Sequence, residues 1–378
     1  MRPHLGASAA AEAVPGRTGI EADAGARFRE LVQAAVESVH AGQIPRAAIL
    51  LGVAERWQAE HAIPTAHERA IRDRLSESLD EAQLVRGVRL PESREAAAAV
   101  LAFFPRFACE RLFTLLRHEP RRERRHALLA ILEARGRAAR DLAIRKLEAP
   151  VGDVSGPDEW YLRRNLLHLL RRIPAPPEAP ASEALDIAVR HSRLGLPAIV
   201  IKEAVALLGQ TRDDRAEFVL IRLLREVTEM LPVREAYGET EGLSSVAERI
   251  GAALACFATP RARRAILEHV EILRAVGRPM ASIAALGHQD LSGDEATVDR
   301  ILALMRRLRR GGLAGRLVPF LRRRDDDDLV PVVDALAGTP LPVVRRALGI
   351  VARRFANQKS GRRAAAVLAG LDRNAASR

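Results

Sequence analysis

Apolar residues along this chain recur at spacings of three and four, in stretches of about 11 to 15 residues divided by short breaks. Leu31, Val32, Ala35, Val36 and Val39 fall on one helical face, and Ile49, Leu50, Val53 and Trp57 on another. The phrase Ala127-Leu128-Leu129-Ala130-Ile131-Leu132 returns as Asn165-Leu166-Leu167-His168-Leu169-Leu170 and as Glu203-Ala204-Val205-Ala206-Leu207-Leu208, each 38 residues after the last. A helical phrase at a fixed period predicts units that bury their apolar faces by stacking on one another. The expected fold is all-α: a right-handed α-solenoid of stacked antiparallel helix pairs.

The pattern also predicts boundaries. Residues 1–26, rich in Ala, Gly and Pro, lack helical periodicity and read as a disordered tail. Residues 27–90 read as a helical cap and 91–174 as the first repeats. A Pro-rich bend at 175–181 precedes a second run of repeats at 182–290, in which an inserted loop at 232–241 stretches the step from Glu203 to Arg249 to 46 residues. Basic C-terminal repeats follow at 291–356, then a tail at 357–378 holding a frayed helix from 361 to 371. Thr65-Ala66-His67-Glu68 and Ser292-Gly293-Asp294-Glu295 read as capping boxes.

Composition sharpens this picture. Aromatic residues make up only 3% of the chain, so the expected core is small and aliphatic. Of the 60 basic residues only Lys146, Lys202 and Lys359 are lysines. Arginine favours bidentate contacts to carboxylate and phosphate, but a GC-rich coding background explains the same bias and is the preferred reading. Residues 1–299 balance 42 basic against 42 acidic residues, whereas 300–378 hold 18 and 6, so the net charge of +12 sits at the C-terminal end. Cys109 and Cys256 are too few for a disulfide framework, and a reducing cytoplasm is the expected compartment. No apolar run approaches the roughly 20 residues needed to cross a bilayer, so no membrane insertion is expected.

The run Trp160-Tyr161-Leu162-Arg163-Arg164-Asn165 resembles the phrase Trp-Tyr-x-x-Arg-Asn that opens second helices in bacterial HEAT-like proteins. Over about residues 91–280 the chain is similar to that HEAT-repeat superfamily, although the proline usual in each first helix is mostly missing. The resemblance implies a scaffold for protein partners. In a minority of the superfamily it accompanies DNA binding, some of it with glycosylase activity, or lyase activity on bilins.

No linear signature of catalysis supports an enzyme. The ten histidines are scattered, and none has the spacing that sets two imidazoles and a glutamate on one helical face. No phosphate loop, nucleophile elbow or paired-cysteine motif occurs, and no cofactor or metal is expected. The expected function is therefore a non-catalytic scaffold, bound to a protein partner, an acidic one among the candidates, along a groove lined by the second helices. On the 38-residue register its contact residues are Arg125, His126, Trp160, Arg163, Arg164, His168 and Lys202. For Trp160 the preferred reading is a structural wedge against the preceding repeat, with the partner contact as the other. The alternative function is a phosphate-backbone module for DNA or RNA on Arg306, Arg310, Arg345, Arg346, Arg353 and Arg354. Arg322-Arg323-Arg324 followed by Asp325 to Asp328 reads as charge complementing two helix ends rather than a metal site.

Overall fold

The computed structural model describes residues 17–61, 63–149, 156–235, 240–275, 281–310 and 328–376. Among them no β-strand occurs, and the only extended pairing is a single bridge between Leu194 and Leu196. The chain divides into two compact units, one comprising residues up to Arg145 together with Arg172–Pro174, the other comprising Lys146–Arg171 and the residues from Ala175 onward.

In the first unit α1 (Arg17–His40), α2 (Ile44–His61), α3 (Thr65–Ser76), α4 (Glu81–Arg89), α5 (Arg94–Phe103), α6 (Cys109–His118) and α7 (Arg122–Ala134) are followed by most of α8 (Arg137–Glu148). α1 begins inside the stretch expected to be disordered. Ala24 and Phe28 are buried and the Ala24 carbonyl accepts from Trp57 Nε1 at 3.2 Å, so this Ala-rich segment has a surface to fold against. Residues 1–16 lie outside the described part. The expected division near residue 90 is crossed by packing, since α4 rests on α5 and α7. The core of this unit is mainly aliphatic, as expected, but five of the nine phenylalanines, Phe28, Phe103, Phe104, Phe107 and Phe113, are buried in it. Arg72 lies 3.9 Å over the Phe103 ring and pairs with Glu68 at 2.7 Å. That pairing replaces the expected capping box: Thr65 is already helical, Pro64 holds the cap position, and no side chain bonds the free amides. Asp80 does cap α4, accepting from the amides of Ala82 and Gln83.

The second unit contains α9 (Pro157–Arg172) up to Arg171, α10 (Ala181–His191), α11 (Ala198–Thr211), α12 (Asp214–Glu235), α13 (Thr240–Ala255), α14 (Pro260–Ala275), a 3₁₀ segment (Ala281–His288), α15 (Glu295–Arg310), a short helix at 328–334, α16 (Pro342–Arg354) and α17 (Lys359–Ala376). From α10 to α14 each helix packs on the next, and α11 also packs on α13, as α12 does on α14. The expected loop at 232–241 is largely helix: α12 continues to Glu235 and α13 starts at Thr240, leaving 236–239 outside the described residues. Asp294, not Ser292, caps α15, its carboxylate receiving the amide and hydroxyl of Thr297. The supposed tail is the 18-residue α17, with Ala364, Val367 and Leu371 buried. It folds back tightly on the end of α16, where a Cβ on Gly361 would lie 1.9 Å from the Phe355 carbonyl oxygen. The Arg322 to Asp327 charge run lies outside the described residues.

Candidate functional site: a cationic groove across α9, α11 and α13

The site grows from α11, whose sequence is so apolar that Val200, Ile201, Ala204, Val205, Leu207, Leu208 and Gly209 are all buried. Such a helix must be enclosed, and α10, α12 and α13 enclose it. α13 comes close because both helices carry small residues: a Cβ on Gly209 would sit 2.9 Å from the Cβ of Ala253. One acidic residue, Glu203, is buried on α11 among these apolar neighbours.

Glu203 ties α11 to α9. Its Oε1 accepts from Arg171 Nε at 2.8 Å and lies 3.3 Å from His168 Nδ1, while Arg164 Nε stands 3.8 Å from Oε2. Burial by itself raises the carboxyl pKa, but the hydrogen bonds and charge of His168 and Arg171 outweigh it and hold the group at about 2. His168 Nδ1 also lies 3.2 Å from Arg171 Nη2, so it donates to the carboxylate when protonated and accepts from the guanidinium when bare. A carboxylate this acidic is a poor proton acceptor near neutrality. Its role is to lock two helices together.

Above this tie runs a groove of about 570 Å³ lined by Arg164 of α9, Ile199, Lys202 and Glu203 of α11, and Ser245, Glu248, Arg249 and Ala252 of α13. Arg164 donates to the side-chain oxygen of its neighbour Asn165 at 2.9 Å. Lys202, Glu248 and Arg249 form no ion pair among the described residues, and Glu248 and Arg249 are exposed. Each of three neighbouring helices thus contributes one cation to a shared groove.

Of the residues expected to contact a partner, Arg164 and Lys202 meet here. His168 is half-buried and already engaged with Glu203. Arg163 is a correction: it is 3% exposed, its guanidinium faces Glu159 at 3.3 Å, and Nη1 donates to His191 Nε2 at 3.3 Å. Burial lowers the His191 pKa; the Nδ1–H bond to the Ile187 carbonyl opposes that, and the Arg163 charge adds to it. Trp160 is half-buried, while its neighbour Tyr161 is 51% exposed. Arg125 and His126 belong to the first unit, where Arg125 Nη1 donates to the carbonyls of Glu119 and Pro120 and His126 is exposed. Glu248, Arg249 and Ser245 were missed, although the 46-residue step already aligns Glu203 with Arg249.

The C-terminal arginines also divide. Arg345 bonds the Asp372 carboxylate and the Leu371 carbonyl, so it clamps α17 and does not share the outward face of Arg346 and Arg353 as expected. Arg306, Arg346, Arg353 and Arg354 are exposed, and the side chain of Arg310 lies outside the described part. Among the described residues no group of three metal-ligating side chains converges, and no helix is long and apolar enough to cross a membrane. Neither a protein-family model nor a curated protein sequence matches the chain.

Proposed function

We propose that this protein is a HEAT-like α-solenoid, right-handed and without catalysis of its own, that holds a protein partner along the groove of its second helices. The succession of contacts from α10 to α14, each helix touching the next and α11 and α12 also touching the next but one, supports stacked pairs. The observation that carries the binding role is a pair of cations, Lys202 and Arg249, that form no ion pair among the described residues and stand beside Arg164 in one open groove. Cations that form no ion pair among the described residues suit an acidic partner surface, and they accelerate its encounter. Reversing Lys202 and Arg249 together to glutamate, neither of which is ion-paired among the described residues, removes partner capture from a native lysate while leaving the circular dichroism and melting unchanged. Capture that persists in this variant excludes the groove.

A second reading rests on a separate observation. Arg346, Arg353, Arg354 and Arg362 on α16 and α17 are exposed and make no ion pair among the described residues. They suit a phosphate backbone, bound independently of sequence and weakened steeply by salt. Among the described residues no base-stacking aromatic accompanies them: Phe355 is half-buried beneath Arg354. Changing Arg346, Arg353 and Arg354 to glutamine abolishes binding of a single-stranded oligonucleotide at low salt; absence of any such binding by the native chain ends this reading.

A further inference from the structure

We infer a second binding site, for a small uncharged apolar molecule about the size of two fused aromatic rings, in a cavity at the start of α11 and α13. The two helices run the same way along one seam. A Cβ on Gly209, near the end of α11, would lie 2.9 Å from the Cβ of Ala253, near the end of α13. A Cβ on Gly242, at the start of α13, would lie 3.6 Å from the Cβ of Ala198, the first residue of α11. The seam is therefore closed at its far end and looser at its start, where it meets a cavity of about 220 Å³. Leu194 and Leu196 from the loop before α11, Ile201 of α11, Met230 of α12, and Leu243 and Val246 of α13 form its walls. Ile201 and Val246 are buried, so the cavity reaches the core. Gly195, Ala198 and Gly242 complete the lining without adding bulk.

The lining selects the ligand. None of its side chains is charged or carries an N–H or O–H, in a chain of which 29% of the residues are charged, so the cavity is set apart from the rest of the surface. An ion or a polar molecule entering it would lose its hydration with nothing in exchange, whereas an apolar molecule gains by leaving water. Such an occupant also supplies the dispersion contacts that close-packed interiors otherwise provide. Size narrows the choice. An apolar cavity of about 150 Å³ accepts benzene, and pockets for drug-sized molecules begin at about 300 Å³. The volume here lies between them and suits a bicyclic ring or an aliphatic molecule of like bulk, with the unbranched Met230 able to adjust to either. The site is distinct from the cationic groove although the same helices build both. Lys202 and Ser245 line the groove while their neighbours Ile201 and Val246 line the cavity, and successive helical residues point about 100° apart.

The test uses the full chain and naphthalene, titrated by its fluorescence, with benzene as a smaller apolar competitor and adenine as a polar bicycle of similar size. Naphthalene should saturate at one molecule per chain and bind at least about tenfold more tightly than either competitor. Gly242→Leu sets a side chain in the cavity mouth, and Leu243→Asp sets a charge in its wall. Each should weaken naphthalene at least about tenfold. Gly242 is exposed on a helix, so leucine there keeps the fold, which circular dichroism and melting of the ligand-free variant verify. Lys202→Glu and Arg249→Glu should leave naphthalene affinity unchanged. Absence of saturable binding by the native chain overturns the site, as does an affinity that neither cavity variant alters or that the groove reversals abolish. Adenine or benzene binding as tightly as naphthalene overturns the ligand assignment.

Discussion

Replacing Glu203 by glutamine should cost about 3 kcal/mol near neutrality and much less in acid. The folded carboxyl sits at about 2 against an ordinary value of 4.5, a gap of roughly 2.5 units. At about 1.4 kcal/mol per unit that gap is worth about 3 kcal/mol to the folded state. The side chain is 8% exposed, so solvent screening removes little of it. Because the folded pKa is depressed, the stabilisation is complete above the unfolded value and is lost as pH falls through the folded one. Glutamine stands in for the protonated acid: it can still accept from Arg171 but brings no charge. The difference between native and Glu203→Gln should therefore shrink from about 3 kcal/mol at about pH 7 to about 1 kcal/mol at about pH 3. Urea unfolding followed by circular dichroism, on both proteins at each pH, measures it, and the subtraction cancels every other carboxylate. A difference below about 1 kcal/mol near neutrality, or one that does not change with pH, refutes the assignment of Glu203 as a paired buried anion.

Gly209→Ala should lower stability by about 1 to 3 kcal/mol, because the added methyl group meets Ala253 Cβ at 2.9 Å and Cα at 3.1 Å. Gly52→Ala, in α2 with no neighbour within 4 Å, should raise it by about 0.5 to 1 kcal/mol; thermal melting of both variants checks the pair. His269 donates from Nδ1 to Thr228 Oγ1, whose own proton goes to the Leu224 carbonyl, and its buried Nε2 has no partner. Burial lowers its pKa from 6.5 to about 4, so between those values the unfolded chain takes a proton that the folded chain refuses, and stability falls as pH drops. His269→Leu should flatten that part of the stability profile, and an unchanged slope in urea titrations contradicts it.

The helices were legible because their apolar period is strong, and several boundaries were not, because local chemistry at the ends competes with packing. Thr65 has the right residue type for a cap, yet Pro64 takes that place and Glu68 turns to Arg72 and Gln58. The stretch 232–241 looks like an insertion by its spacing, but most of the added length is absorbed as further turns of α12 and the start of α13. Arg163 shows where residue type misled. In the repeat register it shares a position with Ile201 and Ala247, both 2% exposed, so the position faces inward whatever occupies it. Its charge suggested the surface, whereas its column in the repeat already indicated the interior. Arg164 shares its column with Lys202 and Glu248, and that column lines the groove.

Stability and recognition in this groove are set one residue apart. Successive residues on an α-helix point about 100° from each other. Glu203 is drawn towards Arg171 and His168 of α9, and this fixes the rotation of α11 about its axis. Lys202, the residue before it, is then turned out of the apolar packing and into the groove. The same holds on α9, where Arg163 is held inward by Glu159 and His191 and Arg164 is left at the groove edge. A buried ionic tie specifies orientation where a leucine tolerates small rotations, a role consistent with its high desolvation cost. Glu203→Leu should accordingly destabilise the fold at least as much as Glu203→Gln, because Arg171 and His168 lose their counter-charge, and should also weaken capture of an acidic partner, through Lys202 and Arg164 losing their common direction. Capture measured well below the variant's own melting temperature separates the two effects; a leucine variant that binds as tightly as the native chain shows that the tie does not aim the groove.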